Sequence, residues 1–353
     1  MPTRVRLLLA VVLLAAPRCA APPVPPGPAV RAAPTSGCAA AEQLRAGTHR
    51  LGFGGIERRF LLSLPRGDGP HPVILDLHGL NSSAARQAAY GRLPEAGARR
   101  GYIVATPQAA KGRMGWTLPG TTGPDDAGFL AALLDHLERG LCVETRREFA
   151  AGMSYGAAMA TSLICALDGR LAAVAAVAGL NIARPCPQDS PTTPSTPSTT
   201  TPRTTTTATV ATTAPGSTAT AAATTTTAAT SIVAFHGTDD RVVPYRGGHP
   251  LRDATGDLRT LADLIVLDPV ERAAAGWADR LGCTGRTIAA LPGQVRLRDW
   301  KTCPGGTTLR LYTIDGGGHT WPGAAEMPWL GRTTRDLDAT ALILDTFDHA
   351  PSR

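Results

Sequence analysis

The amino-acid sequence predicts an α/β fold with a mostly parallel central sheet that is covered by helices on both faces. Short apolar runs typical of buried strands alternate with segments of helical periodicity. Hydrophobic residues make up 43% of the 353 residues, as in a soluble globular protein. A glycine-flanked serine stands between one of these strands and the next helix. This alternation is typical of a sheet that is buried on both sides.

The predicted elements follow one another along most of the chain. Strands are expected at 59–65, 72–77, 102–106, 147–152, 171–178, 231–235 and 308–314. Helices are expected at 126–141, 155–167, 268–281 and 336–349. The third helix has a start signal, in which Asp268 caps, Pro269 opens the first turn and Glu271 reaches back to the cap.

Residues 1–21 have the features of an export signal. Arg4 and Arg6 precede an apolar core, 7–16, that is too short to span a bilayer of about 30 Å as a helix. Cleavage would give a secreted protein that begins with a linker at 22–37. Cys19 leaves open the alternative of a lipid-modified lipoprotein. No other segment is apolar enough for stable membrane insertion.

Removal of this signal leaves an even number of cysteines, which in an exported chain predicts disulfides. The six are Cys38, Cys142, Cys165, Cys186, Cys283 and Cys303. Of the possible pairs, only Cys283 with Cys303 is predicted, because these two bracket one hairpin-like stretch. Buried free thiols remain the alternative. The spacing offers no paired Cys/His motif, so no metal is expected.

Residues 188–230 consist almost entirely of Thr, Ala, Pro and Ser. Such a segment cannot bury enough apolar area to offset its ordering entropy, so it is predicted to be disordered and a candidate for O-glycosylation. Complementary motifs lie on both sides of it. The segment is therefore expected to interrupt one domain, formed by 38–187 and 231–353, and not to separate two domains.

The formal net charge of +7 comes mainly from arginines that are scattered along the chain. No basic block or basic helix face is present, so the arginines are interpreted as solvated surface and no nucleic-acid partner is expected.

The motif with the clearest chemistry is Gly-Met-Ser-Tyr-Gly, centred on Ser154 between a predicted strand and a predicted helix. A serine on such a turn is held with its hydroxyl exposed above the sheet. Gly152 and Gly156 leave space where the turn packs against its neighbours. Ser154 is therefore the candidate nucleophile.

A serine hydroxyl needs a base, and His319 is the candidate. It lies in a glycine-rich loop directly after the last long strand. His78 and His236 are rivals, since each begins a His-Gly pair at a strand end. Structural roles are preferred for both.

The base needs an orienting carboxylate, and two adjacent candidates follow the 231–235 strand. Asp240 is preferred over Asp239, which is expected to bond to the local turn backbone. The chain order Ser154, Asp240, His319 is the order found in α/β hydrolases.

An oxyanion hole completes such a site. One donor is expected to be the backbone N–H of Tyr155, and the other that of Leu80 in the loop after the 72–77 strand. Asp125 and Asp126 open a predicted helix and are interpreted as structural.

These residues resemble the secreted polyhydroxybutyrate-depolymerase and feruloyl-esterase-like branch of the α/β hydrolases. The matching pieces are LHGLN, DDAGF, GMSYG, HGTDDRVVPY and GGGHTWPG, together with the late cysteine pair around Trp300. The match runs from about Cys38 to the C-terminus without the Thr-rich segment. Ala157 departs from the pattern, because a second glycine is usual there. The insertion is also atypical, which puts degradation of solid polymer in doubt.

The resemblance implies hydrolysis of carboxylic esters through an acyl-enzyme, without metal or cofactor. The implied substrates are a hydroxyalkanoate oligomer or polymer, or a feruloylated polysaccharide. Ser154, Asp240 and His319 would form the triad. The insertion lies where many α/β hydrolases carry a cap but lacks apolar side chains, so an open site is expected. Trp116, Trp321 and Trp329 either line this site or serve as ordinary packing residues.

Other functions remain open. An acyltransferase or a serine peptidase could use the same fold, and a non-catalytic surface protein could retain the scaffold. The sequence does not fix the oligomeric state.

Overall fold

A computed structural model describes residues 35–40, 43–185 and 230–353. The predicted export signal at 1–21, Cys19, Cys186 and nearly all of the Thr-rich segment fall outside these ranges. The described elements centre on one ten-stranded sheet.

The strands, in chain order, are β1 Gly47–Phe53, β2 Ile56–Ser63, β3 His71–Leu77, β4 Ile103–Pro107, β5 Val143–Met153, β6 Ala173–Val177, β7 Ser231–Gly237, β8 Thr284–Leu291, β9 Val295–Thr302 and β10 Leu309–Ile314. The helices are α1 Ala84–Gly91, α2 Leu93–Arg99, α3 Asp126–Gly140, α4 Tyr155–Ala166, α5 Gly256–Asp263, α6 Val270–Arg280 and α7 Ala339–Asp348.

The sheet has the order β1-β2-β4-β3-β5-β6-β7-β10-β9-β8. Its six central strands, from β4 to β10, pair in parallel. The outer strands pair antiparallel on either side. Strands β6 and β7 are direct neighbours although the Thr-rich segment separates them along the chain. Both flanking parts of the chain therefore build one sheet.

Both faces of the sheet are buried along its central parallel strands. On one face, Val73 and Leu75 pack in a core that includes Phe129 of α3. On the other, Ile74 packs in a core that includes Phe347 of α7. Successive strand residues point to opposite faces. The predicted α/β architecture with covered faces is confirmed.

The start of α6 differs from the prediction. Its N-cap is Pro269, which is still extended at φ −55° and ψ 140°, and no side chain caps the helix. Asp268 therefore lies one residue too early to cap. Its carboxylate is instead 3.5 Å from the Arg272 guanidinium.

The structure contains the predicted disulfide between Cys283 and Cys303, with 2.08 Å between the sulfurs. It joins the residue before β8 to the residue after β9. A second disulfide joins Cys38 to Cys142, and Cys165 is also disulfide-bonded. Within the described ranges, no helix is long and apolar enough to cross a membrane.

Candidate active site

Ser154 lies on the sharp turn between β5 and α4. Its backbone has φ 57° and ψ −122°, which is strained for a residue with a side chain. A Cβ at Gly152 would overlap the carbonyl oxygen of Gly156, and a Cβ at Gly156 would overlap that of Leu77. The two glycines are thus needed for the close packing of this turn. Ser154 is half-buried, so its hydroxyl remains within reach of a substrate.

Asp240 and His319 meet at the same edge of the sheet. Asp240 follows β7, and His319 lies in the loop after β10, which pairs in parallel with β7. The imidazole Nδ1 of His319 is 2.7 Å from Oδ2 of Asp240, and both residues are buried. A Cβ at Gly237 would overlap the Gly317 carbonyl oxygen, so the glycine is needed where these loops touch.

This contact fixes the imidazole tautomer. A carboxylate accepts hydrogen bonds, so Nδ1 of His319 carries a proton, and in the neutral ring Nε2 presents the lone pair. In the described ranges no hydrogen bond joins the Ser154 hydroxyl to Nε2. Catalytic hydrogen bonds are often long in free enzymes and shorten when substrate binds. The three residues all stand at the carboxyl ends of parallel strands, where active sites of open α/β sheets lie.

Opposing effects act on the Asp240 carboxyl group. Burial raises its pKa, but the electrostatic interactions and hydrogen bonds with the His319 and His236 imidazoles lower the pKa by a larger amount. The net pKa is well below the usual value. Oδ1 also accepts the backbone N–H groups of Val242 and Val243, at 2.9 and 2.7 Å. Asp240 is therefore a stable anion beside the imidazole.

The neighbouring Asp239 does not contact the base. Its backbone N–H donates to the Gly317 carbonyl at 2.9 Å, which ties the turn after β7 to the loop after β10. Of the two candidate acids, the structure thus brings Asp240 to His319.

Leu80 and Tyr155 are the predicted oxyanion donors. A Cβ at Gly79 would lie 3.2 Å from both the Met153 carbonyl oxygen and Ser154 Cβ, so the loop after β3 packs directly on the nucleophile turn. Neither the Leu80 nor the Tyr155 backbone N–H donates a hydrogen bond within the described ranges. Both amides are thus available to a developing oxyanion.

The rival histidines have other partners. His78 is buried, and its Nδ1 is 2.8 Å from the Gly79 carbonyl oxygen. Its Nε2 accepts the backbone N–H of Ala109 at 3.1 Å. His236 is also buried and bonds to the Val243 carbonyl at 2.8 Å. Sequence reasoning missed its position beside Asp240, although the four-residue spacing on one motif was a usable signal.

Asp125 and Asp126 have structural contacts. Asp125 caps α3 by accepting the Gly128 N–H at 2.8 Å. Asp126 forms a buried ion pair with Arg58 at 2.7 Å and also accepts the Thr117 N–H.

Two of the tryptophans do not line an open cleft. Trp116 and Trp321 are buried, and their indole N–H groups donate to the His78 carbonyl and to Thr340 Oγ1. These two are packing residues, because Trp116 lies in the core on one face of the sheet and Trp321 in the core on the other. Trp329 is 77% exposed. Across the described ranges, no group of three or more His, Cys, Asp or Glu side chains has metal-binding geometry.

Comparison with known proteins identifies relatives. The chain is 26% identical to feruloyl esterase B of Piromyces equi over 283 residues, which are 77% of this chain and 44% of that protein. It is 29% identical to feruloyl esterase D of Neurospora crassa over 166 residues, which are 43% of this chain and 56% of that protein. The chain thus spans about half the length of these curated relatives. No family model matches it.

A solved structure shows the same fold. The acetyl xylan esterase from Aspergillus awamori matches with a TM-score of 0.52 and 12% identity, over 86% of this chain and all of that one. The predicted resemblance to feruloyl esterases is confirmed.

Proposed function

We propose that this protein is a serine carboxylic ester hydrolase that works through an acyl-enzyme on Ser154. The observation that carries the proposal is the 2.7 Å contact between His319 Nδ1 and Asp240, at the sheet edge where the strained Ser154 turn lies. The similarity to feruloyl esterases supports ester hydrolysis over peptidase or transferase chemistry on this fold.

In the first stage, His319 Nε2 takes the proton of the Ser154 hydroxyl as its oxygen attacks the ester carbonyl. Asp240 stabilises the imidazolium that forms. The Leu80 and Tyr155 amides donate to the oxyanion of the tetrahedral intermediate. Loss of one such donor costs about 2.7–4 kcal/mol in the transition state. The imidazolium then protonates the leaving alcohol, which departs and leaves the acyl group on Ser154.

In the second stage, water attacks the acyl-enzyme. His319 takes the proton of this water and returns it to the Ser154 oxygen as the acid is released. The depressed pKa of Asp240 keeps it ionised throughout both stages, as this role requires. The substrates we propose are feruloylated polysaccharides, or hydroxyalkanoate oligomers or polymers.

We further propose that the protein is secreted. The Cys38–Cys142 and Cys283–Cys303 disulfides support export, since disulfides persist in oxidising compartments. Lipid attachment at Cys19 is the alternative form of the exported protein.

The proposal is tested with methyl ferulate and short p-nitrophenyl esters. Wild type is expected to hydrolyse at least one of them, and Ser154→Ala to lose several orders of magnitude in kcat. Ser162→Ala removes a hydroxyl from α4, the helix that follows Ser154. It serves as the matched control and should remain active. If folded wild type hydrolyses no ester, the proposal fails.

A further inference from the structure

A second imidazole lies against the carboxylate of the candidate triad. His236 is the sixth residue of β7 and is 2% exposed. Its Nε2 is 2.8 Å from the Val243 carbonyl oxygen and 3.3 Å from Asp240 Oδ2. The oxygen that His319 contacts at 2.7 Å therefore faces two imidazoles. The mechanism above gives His236 no step.

The contacts of His236 determine its tautomer. The Val243 carbonyl can only accept a hydrogen bond, so Nε2 of His236 carries a proton. Nδ1 is buried and has no hydrogen-bond partner in the described ranges. A second proton there would be an unpaired buried donor, which is costly. The positive end of the Nε2–H bond thus lies beside the Asp240 carboxylate.

These contacts hold the turn that carries the acid. Asp240 Oδ1 accepts the Val243 N–H at 2.7 Å, while His236 holds the Val243 carbonyl. The Tyr245 ring packs edge-on against His236, with 5.9 Å between ring centroids. The Tyr245 hydroxyl is in turn 2.9 Å from Thr313 Oγ1 on β10. His236 therefore links the acid turn to the two strands that position Asp240 and His319.

We propose that His236 is a positioning residue for the catalytic acid. Its Nε2–H holds the Val243 carbonyl and faces Asp240 Oδ2, which keeps the carboxylate oriented toward His319 Nδ1. His236 acts only through Asp240 and touches no reacting atom. The proposal rests on the proposed ester hydrolysis.

Two substitutions distinguish the effect of the Nε2–H donor from the effect of the size of the side chain. His236→Gln can place an amide N–H where Nε2 stands. His236→Phe keeps a ring of similar size but has no donor. His236→Asn is polar and too short to supply a donor at that place, so it replaces the Phe variant if that protein does not fold.

The protein and these variants would be assayed on p-nitrophenyl butyrate, beside Ser154→Ala. We expect His236→Phe to lower kcat by about tenfold to hundredfold, since small misplacements of catalytic groups have effects of this size. KM should stay within about twofold of the wild-type value, because His236 does not contact the substrate. His236→Gln should recover most of the lost kcat.

Proton NMR gives a readout that does not need turnover. The His319 Nδ1 proton in its bond to Asp240 should resonate far downfield in wild type and in His236→Gln, and weaken or shift in His236→Phe. Equal kcat in wild type and His236→Phe, or an equal loss in the Gln and Phe variants, would overturn the positioning role. Inactive wild type with an intact downfield proton would instead refute the ester hydrolase function.

Discussion

At Asp240, burial and charge act on the carboxyl group in opposite directions. Burial alone would favour the protonated acid, but His319 and His236 keep the pKa well below its usual value. The two backbone N–H groups on Oδ1 satisfy the side of the carboxylate that faces away from the base. A permanent anion in a fixed orientation is what a histidine base requires to hold its proton on Nδ1.

Replacing Asp240 with asparagine should therefore preserve the fold but not the tautomer. The Asn amide group can donate to Nδ1, which would move the imidazole proton to Nε2. We expect kcat to fall by roughly 10³- to 10⁴-fold, as for the equivalent change in other triads. Steady-state kinetics beside Asp239→Asn measure this. A larger loss of kcat in the Asp239→Asn variant would show that Asp239, and not Asp240, is the catalytic acid.

At Asp76, burial is not offset by a cation. Burial raises the pKa of this carboxyl to about 7, although hydrogen bonds from Gln87 and Thr106 lower it. No ion pair reaches Asp76 in the described ranges. The pKa of Asp76 is higher in the folded protein than in the unfolded chain. The contribution of this carboxyl group to stability is therefore complete below about pH 4 and is lost as the pH rises through 7.

Asp76→Asn keeps the neutral form at all pH values. We expect the variant to gain thermal stability relative to wild type at pH 8, with a smaller gain at pH 5. Calorimetry at both pH values checks this. The variant Asp68→Asn, at an exposed position, is the control. Its thermal stability relative to wild type should be the same at both pH values. A gain for Asp76→Asn that is independent of pH would show that ionisation is not the cause.

At the scale of single elements, the strands of the parallel sheet were the easiest to predict. The central strands are buried along their length, so their apolar runs need no alternation to be recognised. β1 was not predicted, because its residues are exposed or half-buried and its sequence GTHRLGF has a weak pattern. Helices α1 and α2 are short, and their sequences AARQAAYG and LPEAGAR contain few large apolar side chains.

Local sequence failed where tertiary contacts decided the outcome. Asp268 does not cap α6, and its backbone carbonyl accepts a hydrogen bond from the distant Asn181 side-chain amide at 2.8 Å. His236 was interpreted as structural because its nearness to Asp240 depends on how the turn after β7 folds. The sequence shows that the two residues are four positions apart, but not that the turn brings their side chains together.

The β8–β9 hairpin offers a test at this scale. The Cys283–Cys303 disulfide closes a stretch with a sequence separation of 20 at the edge of the sheet. Its removal by a double substitution to alanine should lower the free energy of unfolding by about 3 kcal/mol, in the chain-entropy account. Urea denaturation measures this. Ester hydrolysis at 25 °C should be unchanged, and a large loss of kcat would show that the hairpin supports the site.

At the scale of the whole molecule, one sheet is assembled from two parts of the chain. Ser154 comes from the first part, and Asp240 and His319 come from the second. Strands β6 and β7, which the Thr-rich segment separates along the chain, are direct neighbours in the sheet. Long loops at such places cost little extra closure entropy.

Deletion of residues 192–227 should therefore leave kcat within about twofold of wild type, since loop length enters the closure entropy only logarithmically. These residues fall outside the described ranges. Kinetics on a short p-nitrophenyl ester, with thermal unfolding as the folding control, check it. A folded deletion variant that has lost activity would show that the segment contributes to the site.

The central claim is that Ser154 is the nucleophile activated by His319 and Asp240. Its most direct test is labelling with a fluorophosphonate, followed by mass spectrometry of the digested protein. The account predicts one adduct, on the peptide that contains Ser154, with parallel loss of ester hydrolysis and no adduct in Ser154→Ala. Labelling of another residue, or hydrolysis that survives in Ser154→Ala, would contradict it.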